Sequence, residues 1–248
     1  VPSLEHLILL NDSYTEINSK KVTVIDFNSA IATQSEERLA QAFQPKGDDI
    51  AMYFHTGGTT GRPKIAKLSH DNISFVVQVY AGFNAYHGKS AVLNALPLFH
   101  VFGVIAASLS MFIVGRKVVI MTPEGFRNPN TVKNWWYFVS KYQVSWFPTV
   151  PTIMSTLLQQ PDEKIDLGCF KYAACGSAPL PLELKLSFQR RFNCSVTNGY
   201  GMTESSCLIA RVLPGSDIKG VAVGNGIPYS RVITAQLIDN KISLRNTG

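Results

Sequence analysis

Charge is what this sequence has least of. Of its 248 residues only 16% are Asp, Glu, Lys or Arg, against about 25% in an average soluble domain, while 46% are hydrophobic. That balance excludes a disordered polyelectrolyte. The 23 basic and 17 acidic residues leave a net charge of +6, scattered without a block of like charges. Nucleic-acid binding through a basic arm therefore has little support, while an anionic small ligand is left open. Cysteine is scarce too. The four, Cys169, Cys175, Cys194 and Cys207, have no CxxC spacing and no zinc-like pairing with histidine, which argues against a disulfide scaffold or a structural zinc. Reduced thiols in a cytoplasmic compartment are expected.

No basic stretch followed by an apolar one comes after Val1. The first residue, not being Met, suggests a start downstream of the gene's own. One charge-free stretch, Ala91–Gly115, has the length of a membrane span. Asn94, Pro97 and His100 interrupt it, and the unbroken apolar part from Val101 is too short. A buried strand, a turn and a core helix are expected instead, with peripheral membrane contact left open.

What the sequence does contain is alternation of β-rich runs with segments of helical period, the pattern of an α/β domain. Strands are predicted at His6–Leu10, Val22–Asp26, Ile50–Phe54, Ala91–Ala95, Lys117–Met121, Val144–Phe147, Phe170–Ala174 and Ser195–Asn198. Helices are predicted at Ser29–Phe43, His70–Tyr86, Phe102–Val114, Thr131–Tyr142, Thr149–Gln159 and Pro181–Phe192. After Ser205, glycine and proline become frequent, and Val232–Ile238 with Lys241–Arg245 reads as an antiparallel pair. The expected division is an α/β core over 1–204, with room for two subdomains, and the start of a β-rich subdomain over 205–248.

Three segments carry chemistry. The first runs Thr56-Gly57-Gly58-Thr59-Thr60-Gly61-Arg62-Pro63-Lys64. Its glycines free backbone N–H groups to form an anion nest, its threonines add hydroxyl donors, and Arg62 and Lys64 add positive charge. Together these suit a polyphosphate, although the spacing is not that of a Walker loop, and a plain Gly/Thr hairpin would have the same composition. The second is Asn198-Gly199-Tyr200-Gly201-Met202-Thr203-Glu204. Glycines on both sides of Tyr200 leave its ring free to stack on a planar base. Thr203 can donate to a phosphate, and Glu204 is a hard oxygen ligand suited to Mg²⁺. A strand-end turn with a packed tyrosine reads the same segment without function. The third, Cys175-Gly176-Ser177-Ala178-Pro179, lets backbone approach a ligand edge or makes a tight strand-to-helix turn.

Together the three segments resemble the signatures of the adenylate-forming superfamily, which includes acyl-CoA synthetases, firefly luciferase and peptide-synthetase adenylation domains. Pro97-Leu98-Phe99-His100-Val101-Phe102-Gly103 is similar to its acyl-pocket motif, and Val223–Pro228 to a later structural turn. The resemblance implies parallel-sheet, layered subdomains of the family's N-terminal domain, ending in a β-rich segment. It further implies that Thr56, Gly57, Gly58, Thr59, Thr60, Gly61 and Lys64 hold the β- and γ-phosphates of ATP, and that Gly176, Ser177, Ala178 and Pro179 line the adenine edge. Tyr200, flanked by Asn198, Gly199, Gly201 and Met202, would stack on adenine. Thr203 would contact the α-phosphate, Glu204 would bind Mg²⁺, and His100 would stand between nucleotide and acyl pockets.

The implied activity is ligation. A carboxylic acid, expected to be fatty, is activated by ATP to an acyl-adenylate with release of pyrophosphate, then passed to coenzyme A. Phe99, Phe102 and Phe112 in an acid-free segment suit an apolar tail, and no aspartate stands there to pair with an amino-acid amine. The alternatives are an acceptor thiol on a carrier protein, or a truncated homologue that only binds nucleotide. Some positions depart from the family: Gly57 replaces a frequent serine, Ile65 a glycine and Gly226 a proline. The ribose-binding aspartate, the C-terminal domain with its lysine, and a first subdomain upstream are expected outside this chain, so the piece alone is expected to be inactive.

Overall fold

The computed structural model describes residues 5–10, 22–35, 44–57, 64–84, 90–161, 166–213, 216, 220, 222–238 and 241–245. The chain divides into two compact units, Val1–Pro45 and Lys46–Gly248. In the first, β1 (His6–Leu9) lies parallel to β2 (Thr23–Asp26) in the register His6↔Thr23 to Leu9↔Asp26. Asp26 then caps α1 (Phe27–Ala32) by accepting a 2.7 Å hydrogen bond from the Ser29 N–H, which satisfies one of the orphan donors of a first helical turn. The helix expected over Ser29–Phe43 starts earlier and ends sooner, at Ala32 with Thr33 as its C-cap; residues 36–43 lie outside the described set.

The second unit begins with a hairpin, β3 (Ile50–His55) against β4 (Ile65–Ser69). The Gly/Thr segment was expected to run from a strand directly into a helix, and β4 corrects that. Ile65-Ala66-Lys67-Leu68-Ser69 buries Leu68 and turns Lys67 outward, the period of two of a half-buried strand. Helix α2 (His70–Asn84) follows at once. Its start is set by reciprocal hydrogen bonds of 3.2 Å, from the Ser69 N–H to Asn72 Oδ1 and from the Asn72 N–H to Ser69 Oγ, a capping arrangement between side chains and orphan N–H groups.

The rest builds a central sheet. Along the chain come β5 (Ala91–Asn94), a π-wound turn of helix Phe102–Leu109 continuing into α3 (Ser110–Phe112), and β6 (Val118–Ile120). Next are α4 (Pro129–Lys133), α5 (Trp135–Lys141), β7 (Val144–Thr149), α6 (Pro151–Leu158), β8 (Tyr172–Cys175), α7 (Leu182–Phe192) and β9 (Ser195–Tyr200). The short β10 (Ala210–Arg211) and β11 (Asn225–Gly226) complete a seven-stranded sheet of order β11-β10-β9-β8-β7-β5-β6. The pairs from β6 to β9 are parallel, and β10 and β11 add antiparallel at one edge. β12 (Thr234–Ile238) and β13 (Lys241–Arg245) form the expected hairpin.

β5 and β7 are buried along their whole length, as parallel strands covered on both faces must be. One face packs on an aromatic cluster in which Trp135 meets Phe147, Phe170 and Phe192 edge-on at 5.3 to 5.4 Å, a favoured arrangement of ring quadrupoles. The expected single helix Thr131–Tyr142 is two helices. Asn134 breaks it, its side-chain Nδ2 donating to the Asn130 carbonyl at 2.8 Å, a local bond that competes with the helix ladder.

Ala91–Gly115 is indeed strand, turn and core helix, and among the described residues no helix is long and apolar enough to cross a membrane. Its helical part is wound wider than expected. Asn94, buried at the end of β5, donates from Nδ2 to the Gly103 carbonyl and to Ser108 Oγ, both at 2.9 Å. Ser108 Oγ also donates to Gly103 O at 3.0 Å. These side chains satisfy backbone that an α-helix would satisfy alone, and sequence period carries no mark of them. Gly103 has no substitute there, because a Cβ would sit 2.2 Å from the Pro97 carbonyl.

Candidate active site

A cavity of about 500 Å³ opens beyond the carboxyl ends of β8 and β9, where ligands of open α/β sheets bind. Five separate parts of the chain line it. Thr56, Gly57 and Lys64 come from the facing ends of β3 and β4; Tyr80 comes from α2; His100, Val101 and Phe102 come from the turn after β5. Cys175, Gly176 and Ser177 leave β8, and Thr197–Tyr200 end β9 with Gly201–Glu204 following it, joined by Cys207, Leu208 and Arg211.

The hairpin stem sets the first group. The Thr56 N–H donates to the Lys64 carbonyl at 2.9 Å, so Thr56 and Lys64 stand opposite each other where the Gly/Thr loop leaves the sheet. Gly58, Thr59, Thr60 and Gly61, with Arg62 and Pro63, lie outside the described residues. Among the described residues a Cβ on Gly57 would meet nothing within 4 Å.

The β9 segment forms the opposite wall. Tyr200 is half exposed, and the Gly on each side leaves its ring faces uncrowded by a neighbouring Cβ. Gly201 is irreplaceable for a further reason: a Cβ would lie 1.4 Å from the Cys207 carbonyl oxygen. The chain doubles back at this point through a single 3₁₀ turn, Thr203–Ser205, followed by Ser206 and Cys207 at φ of 57° and 110°. Ser205 fastens the turn, accepting from the Met202 N–H at 3.3 Å and donating to the Met202 carbonyl at 2.9 Å. The result is a buried Thr203 beside an exposed Glu204 at the cavity edge. Asn198 is buried behind them, its Oδ1 accepting from the Gly199 N–H at 3.1 Å.

Ser177 marks the third wall. It sits at φ 65°, a left-handed conformation that L-residues adopt rarely and at functional turns. Gly176 is tied to the neighbouring strand by its N–H on the Thr149 carbonyl at 3.2 Å. Ala178 and Pro179 belong to the same turn but do not line the cavity.

His100 belongs to two spaces. Besides the first cavity it lines a second, of about 430 Å³, with Phe99, Phe102, Phe126, Val132, Ile153 and Ser177 among the residues around it. Its Nδ1 accepts a 3.2 Å hydrogen bond from the Phe102 N–H, so in the neutral ring the proton is on Nε2. Desolvation lowers its pKa. Phe112, in contrast, lies at the end of α3, more than half exposed, and lines neither cavity.

Of the residues singled out in the sequence, Thr56, Gly57, Lys64, His100, Gly176, Ser177, Asn198, Gly199, Tyr200, Gly201, Met202, Thr203 and Glu204 converge on one cavity. Sequence reasoning missed Tyr80, Cys207, Leu208 and Arg211. Tyr80 Oη lies 3.7 Å from Cys207 Sγ, although 127 residues separate them. Burial pushes the Cys207 thiol up to about 12, so it stays a neutral thiol. Arg211 did carry a signal: it is a lone cation inside the apolar run Cys207–Leu213.

The fold and this site define an α/β protein with a cleft at its strand ends. The chain belongs to the AMP-binding enzyme family, whose model matches residues 6–241. Among curated relatives it is 34% identical to marinolic acid–CoA ligase of Pseudoalteromonas sp. (strain SANK 73390), over 87% of this chain and 34% of that protein. It is 32% identical to long-chain-fatty-acid–CoA ligase of Bacillus subtilis (strain 168), over 75% of this chain and 33% of that protein. The chain thus spans about a third of these relatives' length. A crystal structure of an anthranilate CoA ligase in complex with anthranoyl-AMP superposes over the whole chain and 45% of its own, with a TM-score of 0.81 at 21% identity. O-succinylbenzoate CoA synthetase of Bacillus subtilis, in complex with ATP and magnesium ion, covers 96% of this chain and 48% of its own, at 25% identity and a TM-score of 0.73.

Proposed function

We propose that the protein containing this chain is an AMP-forming acid–thiol ligase, which activates a carboxylic acid with ATP and passes the acyl group to coenzyme A. The single observation that carries this reading is convergence. The stem of the Gly/Thr loop, the Ser177 turn and the Tyr200–Glu204 turn come from distant parts of the chain and line one cavity. Lys64 and the loop's donors would neutralise charge on the departing pyrophosphate, and Thr203 would orient the α-phosphorus for in-line attack by the carboxylate. Tyr200 offers its ring to adenine, with Gly176 and Ser177 along the base edge.

Mg²⁺ suits the residues present. Glu204 offers a hard, exposed carboxylate at the cavity edge, and no cluster of three His, Cys, Asp or Glu stands among the described residues. That is the donor set of an ion held chiefly by substrate phosphates and water. Bound there it would supply charge stabilisation on the phosphates.

His100 and Phe102 separate the nucleotide cavity from the second, largely apolar one, which supports an apolar acyl or aryl tail. A fatty acid remains the proposed substrate class, with coenzyme A favoured over a carrier-protein thiol by the CoA ligases among its relatives. The proposed organisation keeps an α/β core to residue 204 and a β-rich subdomain beginning at 205, within a longer enzyme. The proposed location is cytoplasmic, supported by four free cysteines. The test is ATP–pyrophosphate exchange by the full-length protein against a panel of carboxylic acids. Exchange with at least one acid is expected, and silence across the panel refutes adenylation.

A further inference from the structure

His100 and Ser177 line both the first and the second cavity, so an acid that meets the nucleotide there sends its tail into the second. Helix α6 runs along that space. Val150, its N-cap, and Ile153 pack into the same apolar cluster as Phe102, which sets the start of the helix beside the junction. Thr152, Ile153 and Thr156 line the second cavity, while Thr156 and Gln160 line a third, of about 600 Å³. Thr152 and Thr156 share a helix face, about 6 Å apart along the axis. Gln160 follows in the turn that closes the helix, its Nε2 donating to the Thr156 carbonyl at 3.3 Å. Thr156 therefore stands where this side of the chain passes from the second space to the third.

Phe126, Arg127 and Val132 also line both spaces, so a single layer of side chains separates them. Two of its members are held by the core: Phe126 meets Phe147 edge-on at 5.6 Å, and Val132 is buried in the cluster of Trp135. Arg127 is exposed, its Nε donating to the Glu124 carbonyl at 3.4 Å. Thr156 is exposed as well, and its Oγ1 donates to the Thr152 carbonyl at 2.9 Å, which commits the hydroxyl proton to the helix. Past this layer the lining becomes more polar, with Asn130, Lys133 and Gln160. A tail gains from every methylene it takes out of water among apolar side chains. That gain ends at the partition, because a longer tail must pass between these side chains and then lie against groups that lose hydration to it.

We propose that Thr156 sets the length of acid the enzyme accepts: the tail lies along α6 with its carboxylate at His100, and its last methylenes meet Thr156. This rests on the adenylation reading and deepens it, since it names the side chain that measures the tail. Thr156 touches no reacting atom, so it acts on specificity alone. A larger side chain there shortens the preferred acid, and a smaller one lengthens it.

The experiment is pyrophosphate exchange by the full-length protein with straight-chain saturated acids of stepwise increasing length, for wild type, Thr156→Phe and Thr156→Ala. Wild-type kcat/KM is expected to rise with length to an optimum and then fall. In Thr156→Phe the ratio of kcat/KM for the wild-type optimum to that for a shorter acid should drop by about tenfold or more, the discrimination that one misplaced methylene brings in an apolar pocket. In Thr156→Ala the optimum should move to a longer acid. Because the position is exposed, neither change disturbs the core. Profiles that superimpose on wild type, that scale every acid by one factor, or that move the same way in both variants overturn the proposal and leave adenylation standing. A wild-type profile flat with length overturns it without any variant. Exchange with no acid refutes the adenylation reading itself, and this proposal with it.

Discussion

Asn94 holds Gly103. The amide at the end of β5 donates to the Gly103 carbonyl at 2.9 Å, across the turn that carries His100 and Phe102 into the wall between the two cavities. The same amide donates to Ser108 Oγ, and its oxygen accepts from the Leu96 N–H at 3.0 Å. One buried side chain thereby fixes the entry and the winding of the helical segment beneath the site.

Asn94→Leu removes all three bonds at nearly constant volume. It leaves the Leu96 N–H unpaired, at about 1–3 kcal/mol where no water enters, while the Gly103 carbonyl and the Ser108 hydroxyl keep only each other. A loss of about 1–3 kcal/mol in denaturant unfolding is expected, with reduced exchange activity because His100 and Phe102 shift. A stability equal to wild type would show that the network is incidental.

Lys64→Ala takes away the cation opposite Thr56 at the mouth of the loop. A preorganised donor to developing charge is worth about 3 kcal/mol, or on the order of a hundredfold in rate. The check is pyrophosphate exchange at saturating ATP and acid, where loss of binding alone would not be visible. An unchanged rate means the loop stem is structural.

Glu204→Gln keeps the size and exposure of the side chain and drops its charge. The fold should be unaffected. The Mg²⁺ concentration giving half-maximal adenylation should rise, since an amide oxygen is a weaker partner for a hard cation. Superimposable Mg²⁺ titrations would remove Glu204 from the metal site.

Two glycines should respond in opposite ways. Gly201→Ala places a methyl 1.4 Å from the Cys207 carbonyl, an overlap relieved only by opening the Thr203 turn. Loss of nucleotide binding is expected, read by isothermal titration with ATP. Gly57→Ser meets nothing among the described residues and should keep both stability and affinity within about twofold, a surface-like change.

The pH dependence follows from His100. Desolvation lowers its pKa in the folded state, so the unfolded chain takes up the proton more readily. The stability it contributes is fully present above the unfolded pKa, about 6.5, and is lost as pH falls through the lower folded value. Denaturation midpoints measured on both sides of this pH should therefore fall less in His100→Gln than in wild type. Equal slopes for the two proteins would show that the ring titrates as if in water.

Much of the architecture was legible because it is written locally. Alternating β-rich and helical periods gave an α/β domain, and Val144–Phe147 read as a strand from its own residues. Asn134 and β4 escaped for physical reasons. The helix break depends on one side-chain hydrogen bond, and the second hairpin strand on a partner chosen only once the loop folds back.

By itself, then, the sequence determined which residues offer free backbone, hydroxyls and charge, since these are properties of residue type. Only the tertiary structure decided that Thr56, Ser177 and Thr203 share one cavity, and that Asn94 winds the helix under it. It alone buried Arg211 Nη1 without a hydrogen-bond acceptor among the described residues. Those outcomes rest on contacts between segments up to 150 residues apart, whose energy exists only when the sheet brings its strand ends together, and no local pattern records them.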